Sequence, residues 1–107
     1  MLYQEIVKKT EQLDASVMKL RETGTARAEA EKRYKIKLRE HCLRLREEGM
    51  PIGLIDKTCY GIPEVANLRF ERDVADAVWR ANQEAINALK LELRLLESQL
   101  QREWGQA

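Results

Sequence analysis

The 107-residue chain contains few residues that break helices, since it has only five glycines and two prolines. Sheet proteins need many tight turns, and tight turns draw heavily on Gly and Pro. Seven such residues are too few for an all-β fold. Aromatic residues make up only 6% of the chain, so any hydrophobic core must be built from Leu, Ile, Val and Ala.

Other absences narrow the functional classes. No apolar run approaches the roughly 18 residues that a membrane span needs, and the first residues lack the basic-then-apolar order of a secretion signal. Two cysteines and one histidine, without such a signal, fit a reducing compartment. The net charge of +1 is not that of a strongly basic nucleic-acid binder. We expect a cytoplasmic protein that does not contact membranes.

The placement of the helix breakers predicts two long helices. Before residue 49 the only one is Gly24; the others fall close together at Gly49, Pro51, Gly53, Gly61 and Pro63, apart from Gly105. Gly is common just after a helix, and Pro is common in the first turn of the next. We predict one all-α domain over residues 1–107, an antiparallel hairpin resembling a coiled coil. It comprises a helix at 2–48, a connector at 49–62 with a short helix at 52–60, and a helix at 63–105.

The first helix allows two interpretations at Gly24. Its apolar residues fall on one side at the 3.6-residue period, at Leu2, Ile6, Leu13, Val17, Leu20, Ala28, Leu38, Cys42 and Leu45. Gly24 and Thr25 could break the helix, with Thr25 capping a second segment. We favour a continuous helix, because the apolar phase passes Gly24 without a shift. If Gly49 lies opposite Pro63, the numbers of facing residues add up to about 112, which places Tyr34 across from Ala77 and Ala81.

The second helix carries more apolar surface than one partner helix can cover. Its main stripe runs through Leu68, Ala75, Val78, Ala85, Leu89, Leu93, Leu96, Leu100 and Trp104, with Asn82 as an interruption. We predict a homo-oligomer, most simply a dimer of two hairpins in a four-helix bundle, or binding to another protein. The predicted interface residues are Leu68, Val74, Ala77, Ala81, Leu89, Leu91, Leu93, Leu95, Leu96, Leu100 and Trp104.

A basic stretch offers a second hypothesis. Residues 32–46 contain seven Lys or Arg and one acid, and four of the basic residues share a helical side, namely Lys32, Lys35, Arg39 and Arg46. Such a ribbon could lie along a phosphate backbone. The alternative, which we favour, is a solvated face whose charges pair with the acidic residues of 64–76.

Catalysis and metal binding find little support. The only soft ligands besides Met are His41, Cys42 and Cys59, fewer than the four Cys or His of a structural zinc site. No glycine-rich phosphate loop occurs, and no spacing brings a nucleophile to a base. We predict no catalytic residues, no cofactor and no metal.

One segment resembles a known group of proteins. The stretch RFERDVADAVWRANQEAINALKLELRLLESQLQREWG, preceded by GMPIGLIDKTCYG, resembles small uncharacterised coiled-coil-like proteins encoded by bacteriophages and prophages of Gram-positive bacteria. The resemblance covers residues 49–105 best. It implies a phage accessory protein that acts in the host cytoplasm, and it transfers no catalytic residues.

Overall fold

The computed structural model describes residues 1–105 and contains three helices: α1 (Leu2–Glu47), α2 (Ile52–Tyr60) and α3 (Pro63–Gly105). The described part of the chain has no strand. The two long helices pack against each other, which confirms the predicted all-α hairpin. α1 is uninterrupted through Gly24. Of the predicted domain, only residues 106 and 107 lie outside the described range.

The end of α1 shows why its boundary could be predicted. Gly49 has a φ of +89°, a left-handed conformation that glycine adopts without a side-chain clash. Its N–H donates to the carbonyl of Arg46 at 3.0 Å, and the next N–H, of Met50, donates to the carbonyl of Leu45 at 3.0 Å. These two bonds form a Schellman motif, which satisfies carbonyl groups that the helix end leaves unpaired.

The connector folds beside the last turns of α1. Pro51 precedes α2, and its carbonyl accepts the first bond of that helix from Leu54 at 2.9 Å. The side chains of Leu45, Ile55 and Cys59 form a buried cluster, against which Leu38, Cys42, Met50 and Ile62 pack. α2 therefore has a hydrophobic attachment to α1, as expected for a helix too short to be stable alone.

The contacts of the chain divide into two units. The terminal unit comprises Met1–Thr23 and α3 from Trp79 onward. The connector unit comprises Gly24–Val78 and includes α2. In the described residues only eight apolar side chains are buried, so the core is thin in both units: Ala30, Tyr34, Leu45, Ile55, Cys59 and Val65 belong to the connector unit, and Ile86 and Leu93 to the terminal unit.

The register of the hairpin differs from the prediction. In the terminal unit Thr23 bonds to Asn82, and in the connector unit His41 bonds to Glu64; the residue numbers of both pairs add up to 105, not 112. The predicted register is thus wrong by seven residues, and Tyr34 lies against Arg72. The physical reason is the position of α2. Because α2 packs beside α1, α3 begins level with an earlier turn of α1 than Gly49.

The residues that line the inner seam, the contact between α1 and α3, follow a seven-residue repeat. In each helix, partly or fully buried positions recur at alternating steps of four and three residues. In α1 they are Leu2, Ile6, Lys9, Leu13, Ser16, Leu20, Thr23, Arg27, Ala30, Tyr34, Lys37 and His41. In α3 they are Val65, Leu68, Arg72, Ala75, Trp79, Asn82, Ile86, Leu89, Leu93, Leu96 and Leu100. Such a repeat has a mean period of 3.5 residues and is the pattern of a coiled coil.

This repeat corrects the apolar stripes expected at a period of 3.6. Val17 and Ala28 of α1 are exposed, and so are Val78, Ala85 and Trp104 of α3. A stripe of apolar residues with a period of 3.6 residues gradually moves around the helix, away from a seam with a period of 3.5 residues. The true seam instead accepts several polar side chains.

Asn82 forms a polar layer in the terminal unit. Its side-chain N–H donates to the carbonyl oxygen of Ser16 at 3.0 Å, and its Oδ1 accepts from the hydroxyl of Thr23 at 2.8 Å. Both polar ends of the amide therefore have partners on α1. A satisfied polar side chain at a seam position favours one register, because a shifted register would leave it unpaired.

We predict that Asn82→Ala lowers the free energy of unfolding by about 1–3 kcal/mol relative to Asn87→Ala, because two partly buried hydrogen bonds are lost. Asn87 is an exposed residue of the same helix, so both substitutions raise the helix propensity equally. The difference between the two variants therefore gives the contribution of the polar layer. Urea unfolding followed by circular dichroism measures both. Equal stabilities would show that the layer contributes nothing.

Candidate interaction surfaces

α3 carries a second apolar stripe on the side away from α1. The stripe repeats every seven residues, like the inner seam, and its members are Phe70, Val74, Ala77, Ala81, Ala88, Leu91 and Leu95, with Glu84 at one position. On a helical wheel its centre lies about 160° from the inner seam, at 100° per residue. All of these side chains are exposed, with 69% of Phe70 and 63% of Leu95 accessible. We call this set the outer stripe.

The outer side of α1 has a different composition. The corresponding positions of that helix are mostly charged or polar, and the large apolar residues among them are Met18, Ile36 and Leu43. A continuous apolar repeat facing outward is therefore a property of α3. Isolated exposed apolar residues are normal on soluble proteins, whereas a contiguous row of them marks an interaction surface.

The predicted interface residues divide between the two sides of α3. Five of them lie in the inner seam, where they are buried or half-buried: Leu68, Leu89, Leu93, Leu96 and Leu100. Five are exposed members of the outer stripe: Val74, Ala77, Ala81, Leu91 and Leu95. Trp104, at the end of α3, is 74% exposed. The prediction omitted Phe70 and Ala88, although their seven-residue spacing from Ala77, Ala81 and Leu95 was visible in the sequence.

The total accessible surface of the chain is larger than that of a compact monomer of the same mass. The chain exposes 8256 Å², whereas a compact monomer of 12.5 kDa exposes about 6,200 Å². Each long helix of a two-helix hairpin packs against one other long helix, so it can bury only one of its sides. The chain therefore exposes about 2,000 Å² more surface than a compact monomer of its mass.

The basic residues of α1 form a row on the outer side of the connector unit. Lys32, Arg39 and Arg46 recur every seventh residue, or about every 10 Å along the helix, and all three are exposed. None of them makes an ion pair within 4.0 Å in the part of the chain that the structure describes. Lys35 lies beside this row and pairs with Glu31 of its own helix at 3.4 Å.

Some charges of this stretch do pair across the hairpin, as the favoured alternative expected. Lys37 lies 3.1 Å from Glu40 and 3.8 Å from Glu64 on α3. The hydrogen bond to Glu40 and the two carboxylates raise the pKa of Lys37 above its ordinary value. Cross-helix pairing of the lysines and arginines in this stretch therefore involves Lys37, and it does not include the four residues of the predicted nucleic-acid contact among the described residues.

His41 links two charged residues of the connector unit. Arg44 can only donate, so its contact at 2.8 Å makes the Nδ1 of His41 an acceptor. The Nε2 of the ring then carries the proton and donates to Glu64 at 3.1 Å. This hydrogen bond is the main cause that lowers the pKa of Glu64, followed among the favourable contributions by the charge of Lys37.

The two cysteines are neighbours where α2 packs against α1. The sulfur atoms of Cys42 and Cys59 lie 2.8 Å apart, and both residues are free thiols. Cys59 has no exposed surface. Burial, and then the hydrogen bond with Cys42, raises the pKa of Cys59 to about 11. A thiol that stays protonated at neutral pH is a poor nucleophile, so Cys59 serves here as a core residue.

Within residues 1–105, no three His, Cys, Asp or Glu side chains lie close enough together to hold a metal ion. In the same residues, no helix combines the length and the apolar character needed to cross a membrane.

Comparison of the chain with protein-family models, with curated proteins and with solved structures finds no match.

We predict that the stabilising effect of Glu64 depends on pH. Because its pKa is lower in the folded chain than the ordinary value of 4.5, folding favours the ionised carboxylate. The contribution is fully present above pH 4.5 and is lost as the pH falls through the lowered pKa. The native chain should therefore be more stable than Glu64→Gln at pH 7, and this stability difference should decrease as the pH falls below 4.5.

Chemical denaturation across this pH range measures the effect. Glu103→Gln is the control, since Glu103 is exposed and forms no ion pair with the other described residues. A Glu64→Gln difference that persists unchanged at pH 3 would contradict the assignment.

Proposed function

We propose that this chain is a non-enzymatic helical interaction protein that associates with itself and binds a phage or host protein. We further propose that it is a phage or prophage accessory protein acting in the cytoplasm. The observation that supports self-association is the outer stripe, whose seven-residue repeat matches that of a helix with two packing seams.

The energetics favour association through this surface. Full burial of a Leu or Phe side chain contributes about 1.5–3 kcal/mol, and the outer stripe has three such side chains at Phe70, Leu91 and Leu95. The hairpin itself buries only eight apolar residues among those described. A small domain with so thin a core gains much of its stability from oligomerisation.

Sedimentation equilibrium of the full chain should give a mass of at least twice the 12.5 kDa of the monomer at micromolar concentration. The double variant Leu91→Ala/Leu95→Ala should weaken association at least about tenfold, because apolar surface is lost in both copies. Met18→Ala, at a 79% exposed residue of α1, is the matched control and should have no effect. A native chain that stays monomeric would contradict the proposal.

A second candidate function is nucleic-acid binding through Lys32, Lys35, Arg39 and Arg46. It is supported by the absence of cross-helix carboxylate partners for these side chains among the described residues. Regularly spaced, exposed basic groups can follow a phosphate backbone, and their contribution decreases as salt is added.

For this function we predict salt-dependent binding of a fluorescent DNA or RNA duplex, abolished by Lys35→Glu/Arg39→Glu. Lys19→Glu/Arg21→Glu is the control, since it changes the net charge equally at exposed residues outside the row. Fluorescence anisotropy at two salt concentrations measures both variants. Binding that survives the first reversal, or that the control abolishes equally, would exclude the row as a specific site.

A further inference from the structure

We propose that the outer stripe binds the same stripe of a second copy in an antiparallel orientation, with a two-fold axis between Asn82 and Gln83. This inference rests on the proposed self-association and names its interface. It follows from the side chains of the outer stripe, whose sizes follow the same order when the stripe is read from either end.

This match appears when residues whose numbers add up to 165 are placed opposite each other. Phe70 then faces Leu95 of the second copy, and Val74 faces Leu91. Toward the centre, Ala77 faces Ala88 and Ala81 faces Glu84. Large side chains meet at both ends, and small ones meet in the middle, where alanines allow the two backbones to approach closely.

A shift by one heptad in either direction removes this match. In one shifted register Val74 faces Glu84, and Leu91 and Leu95 lose their apolar partners. In the other, Val74 faces Ser98 and Phe70 faces Arg102. The proposed register is therefore the one that covers all four large residues of the stripe with apolar partners, over a length of about 38 Å at 1.5 Å per residue.

The acidic residue of the stripe favours the antiparallel orientation. In a parallel, in-register pair Glu84 would face Glu84 of the second copy, which places two like charges together between the helices. In the antiparallel pair each Glu84 faces Ala81, so the two Glu84 residues lie in successive layers, about 4.5 Å apart along the helices, and each side chain can extend to water on its own side. Like charges placed at one site are destabilising.

The charged residues on one flank of the stripe are complementary. In this register Asp73 lies beside Arg94 of the second copy, and the symmetry repeats the pair. Asp73 accepts both bonds from Arg72 through its Oδ1, so its Oδ2 can accept from another donor. Arg94 is exposed and forms no ion pair with the described residues of its own chain.

The other flank combines apolar and acidic residues. Near the axis, exposed Val78 lies beside Ala85 of the second copy and widens the apolar contact. Further out, Glu71 lies beside Glu92 of the second copy. The charge of Glu92 is compensated by Lys9 of its own chain, at 2.7 Å, which reduces the repulsion. Replacement of Glu71 by a basic residue should therefore strengthen the dimer.

Charge reversal tests the register in the full chain. Asp73→Arg and Arg94→Asp should each raise the dimer dissociation constant about tenfold, because two attractive pairs become repulsive. The double variant Asp73→Arg/Arg94→Asp should restore it to within about threefold of the native value. Glu71→Lys should strengthen the dimer. Lys90→Asp, beside the inner seam, is the control and should change little. Sedimentation equilibrium in low salt gives all the constants, and circular dichroism verifies folding.

Each outcome has a definite meaning. Rescue by the double variant, with a stronger dimer for Glu71→Lys, would support the antiparallel interface. Single reversals that weaken the dimer without rescue would overturn the register. A dimer unaffected by every reversal would overturn the outer stripe as its interface and leave self-association standing. A monomeric native chain would instead overturn the proposed function.

Discussion

The architecture depends on a seven-residue repeat that α1 and α3 share along the inner seam. Two helices of 46 and 43 residues can stay in contact along such a seam only if the same side of each keeps facing the other, which requires a period of 3.5 residues. The apolar layers supply most of the burial. The bonds from Asn82 to Ser16 and Thr23 supply the preference for one alignment, because leucine layers alone would tolerate a shift by a heptad.

The same repeat explains why α3 has a second apolar side. A helix that uses one side for its own hairpin has the opposite side free, and in α3 that side is apolar from Phe70 to Leu95, whereas in α1 it is mostly charged. The two long helices thus have different roles. The outer side of α1 presents mostly polar groups to water, whereas α3 is apolar on two opposite sides.

The helix boundaries followed from residue chemistry, since Gly49, Pro51, Gly61 and Pro63 act locally and their effects need no knowledge of the rest of the chain. The register could not be obtained in this way. It depends on where α2 packs, and that packing is set by contacts of Cys42, Leu45, Ile55 and Cys59 that are far apart in sequence. The inner seam is only partly visible in the sequence for a different reason. A stripe of apolar residues does not include Lys9, Arg27, Arg72 and Asn82, which occupy seam positions because their polar ends reach partners or water. The outer stripe was identified only in part, since its alanines are weak signals when taken singly.

The position of Cys59 allows local opening of the chain to be measured by thiol labelling. Its sulfur lies on the side of α2 that packs against α1, so an alkylating reagent can reach it only when α2 detaches from α1. Because its pKa is raised to about 11, reaction within the closed state is negligible. The labelling rate of Cys59 at neutral pH, followed separately from that of the partly exposed Cys42, therefore measures the opening of α2, and it does so in the native chain without an introduced probe.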